Sequence, residues 1–311
     1  MDIRHLKYFL AISEAPSLSV ASHRLGVAQP SLSQHVIKLE EELGVALLVR
    51  SPRGVVLTEA GRLLATHARG IRQALDTCLA EVRAVSGVAR GTVAFGMPPS
   101  VSMVMSVPLA ETVRHDHPQI RLQAIEAMSG FIKTWVEDHT VDIGFLYDLD
   151  RKEHFAATHV LDEELCFFSA PDAWPFDTPP GAPVALARLQ GLELILPSPF
   201  HGLRKAIERH AAAAGVVLTV VIEMDAMTQI KELVARGSGY TIFAPAAAYD
   251  FVARGELVKS PITDPVLARP VYLVRNPAHP QSNACRAVEA VVLDVARDLV
   301  RRGIWEGRLA L

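Results

Sequence analysis

The side chains best equipped for recognition chemistry lie between residues 29 and 43, QPSLSQHVIKLEEEL. The amide of Gln34 both donates and accepts, so it can pair with the N6 and N7 edge of adenine, and Pro30 offers an apolar surface for a thymine methyl. Gln29, Ser31 and Ser33 add short hydrogen-bonding groups, and Lys38 adds a charge suited to a phosphate. Leu32, Val36, Leu39 and Leu43 form one stripe of an α-helix. That stripe leaves Pro30, Gln34, Lys38 and Glu41 on the opposite face, with Ser33 on its flank. Pro30 fits the first turn, where no intrahelical bond is lost, and Gly44 follows where helices stop. Glu40, Glu41 and Glu42 crowd the far end, so only the N-terminal half can approach a polyanion. Taken alone, such a segment reads first as an ordinary packed surface helix.

Its neighbours supply the frame. In residues 17–27, SLSVASHRLGV, Leu18, Ala21 and Leu25 make a short stripe, with Ser17 as N-cap and Gly26 as stop. The next helix begins three residues later, and two helices joined by a short glycine-containing turn are a helix-turn-helix. Leu6, Phe9, Leu10 and Ile12 are spaced for a preceding helix that closes the core. Residues 46–50 and 55–57 are strand-like around a turn at 51–54, a basic wing with Arg50 and Arg53 near its tip. Both arginines are expected to contact phosphate or a narrow minor groove, with an internal carboxylate as the alternative partner of Arg50.

These residues resemble the LysR-type transcriptional regulators. The likeness runs through Leu6 and Phe9, then Ser17, Leu18, Ala21 and Leu25, then QPSLS at 29–33, Leu39, Glu40, Leu43, Gly44, residues 48–50, Arg53 and LTEAG at 57–61. Ala28 stands where the family often has Ser or Thr, and Leu48 where Phe is usual. A lesser likeness to the nitrogen-assimilation-control branch rests on RHLKY at 4–8, RGV at 53–55 and HGLR at 201–204. The resemblance implies a DNA-binding regulator controlled by a small-molecule effector, dimeric through a linker helix and assembled as a homotetramer.

Residues 59–88 keep a helical period without proline; about 28 such residues span roughly 42 Å. The apolar stripe, with Cys78 on it as a core position, needs a partner, and a second copy of the helix supplies one better than the helix's own domain. Lys and Arg outnumber Asp and Glu 11 to 8 over residues 1–90, whereas over 91–311 the ratio is 20 to 26, so a basic head sits on an acidic body. After a hinge at 86–91, strands and helices alternate as in a parallel sheet with crossover helices. The expected organisation is a winged helix-turn-helix over 1–58, a linker and dimerisation helix over 59–88, and a two-lobed, periplasmic-binding-protein-like α/β effector domain over 91–311. Lobe I takes about 91–161 and 265–311, and lobe II about 162–264.

In such a body ligands bind at strand carboxyl ends, between lobes. The loops that qualify are MPPSVS at 97–102, MSG at 128–130, PSPFHG at 197–202 and AMT at 226–228. They offer Ser100, Val101, Ser102, Ser129, Ser198, Phe200, His201 and Thr228 at or near helix N-termini, which favour an organic anion. The alternative for Ser100, Ser102, Ser129 and Thr228 is that each is simply a helix cap.

No GxSxG, Walker or GxGxxG motif is present, and the 12 histidines form no HExxH or Cys/His cluster, so no catalytic residue, metal or cofactor is expected. The acidic run at 162–164 reads as a solvated turn. Three scattered cysteines argue for a reducing cytoplasm and against a peroxide-sensing disulfide at Cys166. No apolar run reaches the length of a membrane span, and residues 1–6 lack a signal-peptide pattern. The competing reading is a solute-binding or enzymatic α/β protein with an accessory helix-turn-helix head.

Overall fold

The structure is a computed structural model that describes the whole chain except residues 52–53, 84–88, 148, 150–154, 200 and 279–280. The chain divides into two compact units, Met1–Val88 and a body from Ala89 to Leu311, with Glu137–Thr140 and Ala278–Ser282 grouped with the first.

The first unit runs α1 (Ile3–Ser13), α2 (Leu18–Leu25), α3 (Gln29–Leu43), β1 (Leu48–Ser51), β2 (Gly54–Leu57) and α4 (Glu59–Arg83). The stripes expected from spacing make up most of its core, but Leu43, expected on the α3 stripe, is exposed past the last packed turn and Leu25 is only partly buried. Leu6, Phe9, Leu10, Ile12, Leu18, Ala21, Leu32, Val36 and Leu39 are buried together, joined by Leu47, Leu48, Ala65 and Ala68. Each fully buried Leu or Phe contributes about 1.5–3 kcal/mol. Ser17 Oγ caps α2 by accepting the Val20 N–H, and Gly26 and Gly44 end α2 and α3 at φ 65° and 69°, a region costly for any residue with a Cβ. Glu40 is drawn into the fold, its Oε1 accepting the N–H groups of Leu47 at 2.7 Å and Leu48 at 3.1 Å, so this acid fixes the start of the wing. β1 and β2 form that wing as an antiparallel hairpin, Arg50 opposite Val55. Along α4, Ala65 and Ala68 face the core, while Leu63, Ile71, Leu79 and Val82 lie exposed. Cys78, expected in a core, is exposed on the single chain.

The body comprises β3 (Gly91–Met97), α5 (Pro99–Asp116), β4 (Ile120–Glu126), α6 (Ser129–Glu137), β5 (Ile143–Leu146), β6 (Ala156–Glu164), β7 (Cys166–Ser169), β8 (Val184–Ala185), β9 (Glu193–Leu196), α7 (Gly202–Ala213), β10 (Thr219–Glu223), α8 (Met227–Ala235), β11 (Thr241–Phe243), α9 (Tyr249–Ala253), β12 (Val258–Thr263), β13 (Ala268–Arg275), α10 (Asn283–Arg301) and β14 (Arg308–Leu309). One lobe is built on a six-stranded sheet in the order β14-β6-β13-β5-β3-β4. Its β4, β3 and β5 are parallel as expected, but β13 runs antiparallel to both β5 and β6, so the sheet is mixed. The other lobe holds β11-β7-β12-β8 and the parallel pair β10-β9. Each lobe has its own apolar core, around Phe95, Phe145 and Trp305 in the first and Phe167, Phe168 and Phe243 in the second. The chain passes between lobes twice, after β6 and after β12, and the crossings lie side by side, with the Leu165 N–H on the Leu267 carbonyl at 2.7 Å.

Residues 162–164 are not a solvated turn. They end β6, a strand missed because three acids in a row carry no strand period, and Glu163 is fully buried. The ladder explains why: Arg269 of β13 is its direct cross-strand partner.

Candidate functional site

α3 presents Gln29, Pro30, Ser31, Gln34 and Lys38 to solvent, with Ser33 half-buried on the flank. Ala28 is the N-cap and offers no side-chain cap, which leaves first-turn N–H groups available to a phosphate oxygen. The departure at Ala28 therefore takes away a protein partner at the very end that would meet a nucleic-acid backbone. Behind this face the His35 ring packs edge-on against Tyr8, with centroids 4.9 Å apart. The side chains of Arg50 and Arg53, and Phe200 in the body, lie outside what the structure describes.

The second constellation lies in the body. The cap alternative fails for three residues: α5 has Pro98 as N-cap and α8 has Ala226, neither with a side-chain cap, so Ser100, Ser102 and Thr228 sit within their helices. Ser129 opens α6. His201 does cap α7, its Nδ1 accepting the Leu203 N–H at 3.1 Å. Since Nδ1 accepts, neutral His201 carries its proton on Nε2. Burial lowers the His201 pKa below its ordinary value, and the nearby Arg269 charge lowers it further, so the ring is neutral at pH 7.

Among the described residues the lobes approach each other at several points, two of which involve these side chains. A Cβ built on Gly202, at the start of α7, would stand 3.3 Å from Ser129 Oγ. Arg269, beside His201, donates through Nη2 to Ser100 Oγ at 3.1 Å and through Nε to Glu163 at 2.7 Å. Ser100 also shares a short hydrogen bond with the Tyr147 hydroxyl, and the Arg269 guanidinium lies 3.6 Å from the Tyr147 ring centroid. Glu163 accepts in addition from Trp305 Nε1 at 2.8 Å. Ser100, Ser129 and His201 are thereby brought into one neighbourhood. Val101 points into the lobe core, fully buried, and Ser102 is buried as well. Ser198 is half-buried at the rim, its N–H donating to Asp225 at 2.9 Å, and Thr228 is exposed.

Sequence reasoning missed Arg269, Tyr147, Glu163 and Trp305. For Arg269 a signal existed. Leu267, Arg269, Val271 and Leu273 alternate on one parity, and that parity is the buried face. Lys231 was missed too; it is buried on α8 with Nζ 3.1 Å from Asp250 and 3.5 Å from Met103 Sδ on α5. Cys166 is buried, and burial pushes its thiol up to about 12, which keeps it from thiolate chemistry. Among the described residues no group of three or more His, Cys, Asp or Glu side chains is placed to hold a metal ion, and no helix is long and apolar enough to cross a membrane.

Residues 3–62 match the bacterial regulatory helix-turn-helix protein, lysR family, and residues 86–297 match the LysR substrate binding domain. Among curated relatives, the nitrogen assimilation regulatory protein nac of Klebsiella aerogenes is 28% identical over 99% of this chain and 98% of its own length. The HTH-type transcriptional regulator BbuR of Bordetella bronchiseptica is 28% identical over 99% and 94%. Among solved structures, full-length CbnR complexed with its target DNA superposes with a TM-score of 0.66 at 20% identity, covering 96% of this chain and 99% of that one. A full-length OxyR variant from Pseudomonas aeruginosa gives 0.73 at 20% identity, covering 96% and 98%. Both are likenesses of fold. The two family matches together take in the winged head and the two-lobed body, and they exclude the solute-binding or enzymatic reading: the chain belongs to the LysR family of helix-turn-helix transcriptional regulators, with a DNA-binding head and an effector-binding domain.

Proposed function

We propose that this regulator reads its operator through Gln29, Pro30, Ser31, Ser33, Gln34 and Lys38 of α3, with Arg50 and Arg53 of the wing on the backbone, and that a small organic anion bound between the lobes controls it. The observation that carries the second half is the convergence of Ser100 and His201 on Arg269, with Ser129 against Gly202 next to His201, beside the start of α5. Ser198 and Thr228 stand at the rim of this site. The anion selects the closed arrangement of the lobes, the kind of hinge closure that resets regulators. Leu63, Ile71, Leu79 and Val82, exposed on α4, form an apolar set that a second copy covers; the dimers associate further into a homotetramer working in the cytoplasm on promoter DNA.

The test has two steps. Thermal-shift screening of metabolites finds compounds that raise the melting temperature by mass action. Gel retardation on DNA upstream of the protein's own gene then asks whether those compounds change the complex. Organic acids that raise the melting temperature and alter the retarded complex support the reading. Stabilisation by amines or neutral compounds alone contradicts it.

A further inference from the structure

The hydroxyls of Ser100 and Tyr147 allow a count of protons. They share one hydrogen bond, which uses one of their two hydroxyl protons. Arg269 has only donors and gives one of them to Ser100 Oγ, so the second hydroxyl proton cannot be spent on Arg269. Whichever oxygen donates within the pair, the other hydroxyl is left with a proton to give, and among the described residues no acceptor takes it. Burial holds the Tyr147 phenol well above its ordinary pKa, so this proton persists at every physiological pH.

Most other groups of the cleft have the same polarity; the exception is Asp225 at the rim, a carboxylate near His201 that accepts the Ser198 N–H. His201 spends its acceptor on the Leu203 N–H and keeps Nε2–H as a donor. At the start of α5, Pro98 and Pro99 have no N–H and the Val101 and Ser102 N–H groups donate to the Pro98 carbonyl, which leaves the Ser100 N–H, and the first turn of α8 carries N–H groups without a side-chain cap. The carboxylate in the cluster, Glu163, is fully buried and spends one oxygen on Arg269 and the other on Trp305. Charge, by contrast, is cancelled. Arg269 is 5% exposed and ion-paired with Glu163 at 2.7 Å, and His201 is neutral. A site rich in donors but without net positive charge compensates a monoanion with hydrogen bonds, whereas a dianion would be desolvated against no opposite charge.

We propose that the cleft binds a monocarboxylate head through donors alone, the surplus hydroxyl proton of the Ser100–Tyr147 pair among them, and that Arg269, neutralised by Glu163 and Trp305, is a positioning residue and not the ligand's counter-ion. This rests on the cleft reading above and adds the class of ligand and the residues that select it.

Trp305 reports on the same network, because its indole N–H bonds the carboxylate that holds Arg269. The experiment is an NMR titration of the full-length, ¹⁵N-labelled protein, following the Trp305 indole resonance assigned through Trp305→Phe. The probes are acetate, sulfate and methylammonium, each against sodium chloride of equal ionic strength. Acetate is expected to shift the resonance saturably below about 0.1 M, the range open to so small a ligand. Methylammonium should leave it unmoved, and sulfate should act more weakly than acetate. Tyr147→Phe alone leaves the Ser100 hydroxyl proton free for the ligand, so Tyr147→Phe combined with Ser100→Ala, checked for an unchanged melting profile, should weaken acetate about tenfold, the loss of one charge-assisted hydrogen bond. The comparison of probes on the parent protein needs no variant to fold. Methylammonium acting like acetate, sulfate exceeding acetate, or acetate without effect each overturns the proposal. If acetate fails while a compound from the metabolite screen is lost in Ser129→Ala, the cleft reading stands and the donor-only assignment falls. If no compound is sensitive to Ser129→Ala or Ser100→Ala, the cleft reading falls and takes this proposal with it.

Discussion

Gly202 and Ser129 belong to different lobes, yet a Cβ at position 202 would stand only 3.3 Å from Ser129 Oγ. That is tighter than ordinary side-chain contact, so a side chain at 202 must push the lobes apart or displace Ser129. Gly202 is itself exposed at the first position of α7, so substitution there costs the lobe core nothing. Gly202→Val is therefore expected to leave melting temperature and DNA binding near the parent's values. It should weaken effector binding tenfold or more, measured by calorimetry with a compound from the thermal-shift screen. Unchanged affinity would mean that the lobes do not need this approach.

A second glycine sets the frame of the head. At Gly61 a Cβ would lie 2.1 Å from the Leu47 carbonyl oxygen, while the Gly61 N–H donates to Thr58 Oγ1 at 2.9 Å. Backbone must move to admit even a methyl group. Gly61→Ala should cost about 1–3 kcal/mol as overpacking, read from denaturant unfolding of the full-length protein. A variant as stable as the parent would show that the wing and α4 can shift freely.

The head was legible because its signals are local. Leu32, Val36 and Leu39 repeat at helical spacing, Ser17 caps within three residues, and Gly26 and Gly44 mark the stops. The cleft was legible only as far as its loops, which placed Ser100, Ser129 and His201 but could not pair them. Arg269 is 169 residues from Ser100 and 106 from Glu163; its partners follow from the register of β13 on β6, which no local pattern encodes. The same register buried Glu163 within a run of acids that reads as surface. Cys78 erred the other way: it shares the period of α4 but is exposed, because the period does not say which turns of the helix the head covers.

His201 makes the body sensitive to acid. Burial, with help from Arg269, lowers its pKa in the folded state, so below the ordinary value of about 6.5 the unfolded chain takes up a proton that the folded chain refuses. The contribution is fully present above pH 6.5 and is lost as pH falls through the folded-state value. Melting temperatures between pH 8 and 5 should fall more steeply for the parent than for His201→Asn, a substitution that keeps an N-cap acceptor and removes the titration. Parallel slopes would place the acid sensitivity elsewhere.

α4 exposes Ile71, with Leu75 half-buried on the next turn. Ile71→Asp combined with Leu75→Asp should yield monomers by light scattering, with loss of specific DNA binding, since paired half-sites require paired recognition helices. A persistent dimer would assign the main interface to another surface.

The central claim is that α3 reads base edges through its exposed N-terminal half, with Gln34 as the adenine-reading residue. The most direct measurement is fluorescence anisotropy of the parent and Gln34→Ala on two duplexes, the footprinted operator and a scrambled sequence of equal length, at one salt concentration. Loss of a paired contact to a base should cost about 1–3 kcal/mol on the operator and leave the scrambled duplex almost unchanged. Equal losses on both duplexes would show that Gln34 only holds the backbone and would contradict the account.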